Sequence, residues 1–312
     1  MALAFLYAGQ GSQKEGMGRD FYEKYEEVRE IFDSKAVSFD IADTCFNADM
    51  EKLTDTLYTQ PCMAAFGAAV TKLLLAKGLK PAYTAGLSLG EYGALHAAGV
   101  FDSDTMLELL AYRGKVMSDT TNNLDTKMAA IIGLTDEQVC EAVAQALQAN
   151  LGIVAPANFN AVGQVVIGGA SKAVDKACEI CNDMGARRAL PLKVSAPFHT
   201  AYMEEASRLM GEKLRSVSMN APTIPVIHNA TGDIMKESET VSHLLEVQVK
   251  MPVLFKQTIE KLATLGVDQV IEIGPGNVIA WFIKKTAPGI KVYSIEDTAG
   301  LDAALKALTL EV

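Results

Sequence analysis

Tyr83-Thr84-Ala85-Gly86-Leu87-Ser88-Leu89-Gly90-Glu91-Tyr92 is the stretch on which the fold turns. Residues 83–87 read as a short strand that stops at Ser88. The helix after it runs through Glu91, Tyr92, Ala94, Leu95, Ala97 and Ala98 to a stop at Gly99. Strand, serine and helix in that order are the context of a G-x-S-x-G nucleophile elbow. The flanking glycines fit so sharp a turn, because a side chain at either would strike the neighbouring strand or helix. The serine oxygen then stands clear of the backbone. The amide of Leu89, with the helix dipole behind it, points to the oxygen of whatever carbonyl the serine attacks. A glycine-rich turn with a serine also arises by chance, and it is the place between strand and helix that gives this one weight.

Working outward, residues 3–8 predict a buried strand, and Gly9-Gln10-Gly11-Ser12-Gln13 the turn after it. A dinucleotide fingerprint fails there, since Lys14 stands at the third glycine position. A helix is expected over 18–34 and a buried one over 60–77, where small and apolar residues lie on every side. Residues 128–194 change texture: strand 128–132, helix 135–148, strands 153–157 and 164–168, helix 171–184, strand 189–194. That βαββαβ order is the split pattern of a ferredoxin-like unit. Beyond it a helix over 200–217, a strand over 223–229, a helix over 255–265 and a strand over 269–273 before Gly274-Pro275-Gly276 resume the alternation. The expectation is a large α/β-hydrolase-like subdomain with a mainly parallel sheet, residues 1–126 and 195–312. Inserted in it is a small ferredoxin-like subdomain, residues 127–194.

The chain has 312 residues, 49% hydrophobic and 21% charged, enough for a large core. Its 28 basic and 38 acidic residues leave a net charge of −10, which argues against a nucleic-acid surface. No apolar run nears the ~20 residues of a membrane span, and the first seven residues lack the basic start of a secretion signal. A cytoplasmic monomer that binds neither membrane nor nucleic acid is expected. The five cysteines are odd in number and scattered, as for reduced thiols. Cys178-Glu179-Ile180-Cys181 matches C-x-x-C, but with no second pair nearby it reads as two half-buried thiols on a helix.

A serine needs a base, and histidine is the usual one near neutral pH. Of the four, His96 lies eight residues past Ser88 on the same helix, roughly 12 Å along its axis and too far to reach back. His228 closes a strand and His243 sits in an apolar context, where a core or helix-surface role is the plain reading. His199 follows Ala196-Pro197-Phe198, where the small unit returns to the large one, and loops at such junctions assemble sites. Arg113 falls inside the apolar stripe Met106, Leu109, Leu110, Gly114, Met117 of one helix. A guanidinium turned inward needs a carboxylate, either from an internal Asp or Glu or from the substrate.

With these residues in hand, the chain resembles the malonyl-CoA:acyl carrier protein transacylase family and the related acyltransferase domains of polyketide synthases. The likeness covers nearly the whole chain. It rests on Gly9-Gln10-Gly11-Ser12-Gln13, Gly86 to Tyr92, Tyr112-Arg113-Gly114-Lys115-Val116-Met117, Asn158-Phe159-Asn160, Pro197-Phe198-His199, Gln248 before Pro252-Val253, and Gly274-Pro275-Gly276, all in family order. The resemblance implies Ser88 as nucleophile and His199 as base. It implies the amides of Gln10 and Leu89 as oxyanion hole, Arg113 as grip on a malonyl carboxylate, and the backbone carbonyl of Gln248 as orienter of His199. It also places Gly11, Met117, Asn158, Phe198 and Gln248 around the substrate. The implied reaction is ping-pong, from malonyl-CoA through a malonyl-serine to acyl carrier protein, for fatty acid biosynthesis. It needs no metal and no cofactor beyond the CoA thioester.

Two departures stand out: Leu87 where many members have histidine, and Met251 where a polar residue is common. Phe198 resembles malonyl-selective members, its ring leaving little room for an α-methyl branch, a selection worth about 1–3 kcal/mol. The rival readings are a polyketide-serving acyltransferase and a serine thioesterase or other hydrolase; Arg113 and the inserted unit speak against the hydrolase. A patatin-like Ser-Asp dyad lacks its Asp-Gly dipeptide. Arg187, Arg188, Lys193, Lys284 and Lys285 are either a basic patch for an acidic carrier protein or ordinary solvated charge.

Overall fold

The computed structural model describes residues 2–121, 124–194 and 196–309. Ser195, the expected first residue after the insert, lies outside them. Strands β1 (Ala2–Tyr7) and β2 (Tyr83–Gly86) come first. Next are β3 (Thr126–Ile132), β4 (Val154–Ala161), β5 (Gln164–Ala170) and β6 (Arg188–Pro191). Last come β7 (Val226–His228), β8 (Asp233–Ile234), β9 (Val267–Ile273) and β10 (Lys291–Ile295).

One sheet runs β10-β9-β1-β2-β7-β8 and is parallel except for the β7–β8 edge pair. Strands buried on both faces need unbroken apolar runs, and Ala4, Phe5 and Leu6 of β1 are fully buried. Around this sheet lie α1 (Arg19–Lys24), α2 (Arg29–Phe32), α3 (Ile41–Asn47), α4 (Met50–Thr54), α5 (Thr56–Ala76), α6 (Gly90–Ala97) and α7 (Ser103–Asp119).

The other sheet is antiparallel, order β4-β5-β3-β6, and packs α8 (Asp136–Leu147) and α9 (Ser171–Asp183) over its own core of Ile131, Val139, Val165, Ile167 and Val174. Its chain order β3-α8-β4-β5-α9-β6 is the expected βαββαβ. After it follow α10 (Glu204–Arg215), α11 (Val241–Gln248), α12 (Phe255–Thr264), α13 (Val278–Thr286) and α14 (Thr298–Thr309). The two sheets are stitched at Val253, whose amide donates to Ala157 O (2.9 Å) and whose carbonyl accepts from Phe159 N (2.8 Å).

Several elements differ from expectation in their bounds, and two of the differences have a plain local cause. The helix over 18–34 is broken at Tyr25, which is extended (φ −123°, ψ 109°). A single 3-10 turn, Glu26–Val28, separates α1 from α2, and the Arg29 side chain caps the carbonyls of Tyr22 and Glu23 left open there. The strand over 223–229 keeps only Val226–His228, because Pro222 and Pro225 before it have no N–H to pair. Cys178 is half-buried and Cys181 buried on α9. Among the described residues no helix is long and apolar enough to cross a membrane.

Candidate active site

Ser88 stands where β2 ends, with φ +55°, a left-handed conformation that only a fixed turn imposes on a serine. The glycines make the turn possible. A Cβ on Gly86 would lie 2.0 Å from the Gly90 carbonyl, and one on Gly90 would lie 2.3 Å from Tyr7 O. Asn229, just past β7, brackets the elbow: its Oδ1 accepts from Ser88 N (2.6 Å) and its Nδ2 donates to Gly86 O (2.7 Å).

His199 meets Ser88 across the junction. Ser88 Oγ lies 2.7 Å from His199 Nε2, and His199 Nδ1 donates to the backbone carbonyl of Gln248 (2.8 Å), leaving Nε2 as the acceptor. His199 is also left-handed, φ +60°. Of three non-glycine residues with positive φ among those described, two are thus the serine and the histidine; the third, Asn150, is of a type that tolerates it. Burial, and then the positive charge of Arg113, push the His199 pKa down to about 3, so the imidazole is neutral and able to accept a proton.

Arg113, on α7, is 1% exposed and lies beneath Ser88. Its Nη1 donates to Gln60 Oε1 (2.9 Å); its Nη2 donates to Gln248 Oε1 (2.9 Å) and Ser88 Oγ (3.1 Å). The Tyr92 ring lies 5.8 Å from the guanidinium carbon. No Asp or Glu makes an ion pair with it among the described residues, so the internal salt bridge is not the answer to its burial. Its Nε has no partner there either.

Above Ser88 opens a cavity of about 130 Å³ lined by Gln10, Leu87, Ser88, Phe198 and His199 on one side. Met128, Asn158, Asn160, Val166, Leu192 and Val194 of the antiparallel sheet and its exit line the other. Asn160 Oδ1 is buried without a partner among the described residues. The amides of Gln10 and Leu89 have no acceptor among them, whereas the Gln10 side chain is held by Thr56 Oγ1 (3.0 Å). Of the residues expected around the substrate, Asn158 and Phe198 line the cavity, whereas Gly11, Arg113, Met117 and Gln248 do not. Met117 packs under the site, its sulfur accepting from Gln60 Nε2 (3.8 Å), and Gly11 N is turned to Gln13 Oε1 (2.7 Å).

Sequence reasoning gave no role to Gln60, Glu91 and Asn229, and named Asn160 only within the Asn158-Phe159-Asn160 motif. Glu91 is fully buried and accepts from His228 Nδ1 (2.7 Å), Asn229 N (3.0 Å) and Gln248 Nε2 (2.9 Å). A signal existed: Glu91 is the one acidic residue in the helix Gly-Glu-Tyr-Gly-Ala-Leu-His-Ala, directly behind the nucleophile. His228, a plain core histidine in the sequence reading, is buried and is its partner.

Residues 4–300 match the acyl transferase domain. A malonyl CoA-acyl carrier protein transacylase of Bacillus subtilis (strain 168) is 35% identical over 99% of this chain and 98% of its own length. The crystal structure of a malonyl CoA-acyl carrier protein transacylase from Clostridium perfringens superposes with a TM-score of 0.95 at 37% identity, over 100% of this chain and 98% of that one. A malonyl-transacylase solved in complex with its type II PKS acyl-carrier protein gives 0.94 at 35% identity, over 98% and 100%. The chain belongs to the acyl transferase domain family, among the malonyl CoA-acyl carrier protein transacylases.

Proposed function

We propose that this protein transfers the malonyl group from malonyl-CoA to the phosphopantetheine thiol of acyl carrier protein, through an ester on Ser88, for fatty acid biosynthesis. The observation that carries the reading is the buried guanidinium of Arg113, 3.1 Å from Ser88 Oγ and, among the described residues, faced by uncharged acceptors. A cation so placed beside a nucleophile suits an acyl group that brings its own carboxylate, which takes the place of the Ser88 contact.

The serine attacks the thioester carbonyl while His199 Nε2, 2.7 Å away, takes its proton. The oxyanion forms against the amides of Gln10 and Leu89. As the tetrahedral species collapses, His199 returns the proton to the departing CoA sulfur, leaving malonyl-Ser88. The carrier-protein thiol then gives its proton to His199 and displaces the serine by the same steps in reverse. No third side chain is needed to make the histidine a base, because the Gln248 carbonyl fixes its tautomer. Arg187, Arg188, Lys193, Lys284 and Lys285 are all exposed, available to an acidic carrier.

Incubation with radiolabelled malonyl-CoA labels the wild-type protein and not Ser88→Ala; a labelled Ser88→Ala protein overturns the reading. Release of free malonate faster than transfer to carrier protein would favour the thioesterase instead.

A further inference from the structure

Arg113 is buried with neutral partners, yet a carboxylate stands one residue behind them. Glu91 is fully buried, and both its oxygens are taken by donors: Oε1 by His228 Nδ1 (2.7 Å), Oε2 by Asn229 N (3.0 Å) and Gln248 Nε2 (2.9 Å). The second proton of Gln248 Nε2 goes to Ser88 O (2.8 Å). Both acceptors of that amide nitrogen are oxygens with nothing to donate, so the amide cannot turn over without setting oxygen against oxygen. Its Oε1 is thereby committed to Arg113 Nη2 (2.9 Å).

We propose that Glu91 is a positioning residue for the acyl carboxylate: through Gln248 it lends Arg113 negative charge at one amide's remove, offsetting the burial of the guanidinium without occupying its donors. The proposal rests on the reading of Arg113 as the malonyl grip. A carboxylate in direct contact would claim the donors that the substrate needs, and the incoming anion would have to break an ion pair. An amide polarised by Glu91 is a stronger acceptor than a free one but carries no charge to compete. Burial draws the Arg113 pKa down, and Tyr92 and then Glu91 offset only part of that. Because the same carboxylate holds the backbone of Asn229, which brackets the elbow, nucleophile and grip are set by one side chain.

The test compares kcat/KM for malonyl-CoA and acetyl-CoA in the full-length protein. Glu91→Gln keeps the shape but removes the charge that polarises Gln248, which Ser88 O still holds in place, and the malonyl:acetyl ratio falls about tenfold, the scale of one charge-assisted hydrogen bond. A variant whose two rates fall together, with the ratio kept, shows a merely structural Glu91 and overturns the proposal. The swap Glu91→Gln with Gln248→Glu keeps the net charge, at the cost of the hydrogen bond to Ser88 O (2.8 Å), and decides the matter if the single variant fails to fold. With the carboxylate now touching Arg113, its ratio falls at least as far, and a wild-type ratio in the swap overturns the proposal. A wild-type enzyme with no preference for malonyl would instead overturn the proposed function itself.

Discussion

The two sides of the cavity are built on different principles. On the parallel-sheet side, Ser88, His199 and Arg113 are tied by hydrogen bonds to Asn229, Gln248 and Gln60, all buried, and two of their backbones are held in left-handed conformations. On the antiparallel-sheet side, Met128, Val166, Leu192 and Val194 present apolar surface around the two amides of Asn158 and Asn160, and Leu192 is 37% exposed. Directional bonds fix atoms to a few tenths of an ångström, whereas apolar contact fixes only a shape. Chemistry therefore resides on the first side and accommodation on the second, and substitutions should divide the same way.

The largest effect after loss of the serine belongs to the base. His199→Ala lowers kcat by about 10³-fold, within the range of a missing general base, with malonyl- and acetyl-CoA affected alike. Because the His199 pKa is pushed down to about 3, the wild-type base stays neutral, and kcat/KM has no acid limb between about pH 5 and 7. A limb centred near 6.5 would show that His199 is not held in this way. Stability has its own pH dependence. The unfolded chain binds the proton more readily than the folded one, so His199 contributes stability in full above about pH 6.5 and loses it as the pH falls toward about 3. Urea unfolding across that window measures it.

Arg113→Ala comes next and separates the substrates. Malonyl-CoA loses about 10²-fold in kcat/KM, the scale of a charge-assisted bidentate grip, while acetyl-CoA is spared or gains. Equal losses would assign Arg113 to the floor's architecture alone and erase the contrast between its role and that of His199.

How much of this was legible in the chain follows from sequence distance. The elbow is a ten-residue pattern, and its strand, glycines and helix all signal locally. Arg113 announced itself as a charge inside an apolar stripe, and His199 as the histidine on a loop between units. What answers the charge of Arg113 did not, because Gln60 and Gln248 lie 53 and 135 residues away from it. Asn229 lies 141 residues from the serine whose amide it accepts. Such partners are set by tertiary approach, which no local periodicity encodes. The break at Tyr25 escaped for a related reason: residues 18–34 have a helical apolar pattern, and only the packed chain shows Tyr25 extended. For Met117, a helix stripe tells which residues face inward but not which of them reach the cavity, and its sulfur meets Gln60 Nε2.

The smallest effect is expected on the apolar wall, at Leu192. The side chain is partly in solvent and its own amide bonds to Met128 O (2.9 Å), so truncating it leaves the backbone tie intact. Leu192→Ala should change stability by no more than about 0.5 kcal/mol, as at other sites without buried partners. Its effect on kcat/KM should stay below about tenfold and be the same for malonyl- and acetyl-CoA, since the residue carries no group that tells a carboxylate from a methyl. Ser88 labelling should be unchanged. Should Leu192→Ala instead shift the malonyl:acetyl ratio as Arg113→Ala does, the apolar part of the wall would be reading the acyl group, and the division between a directional floor and a mainly apolar wall would have to be given up.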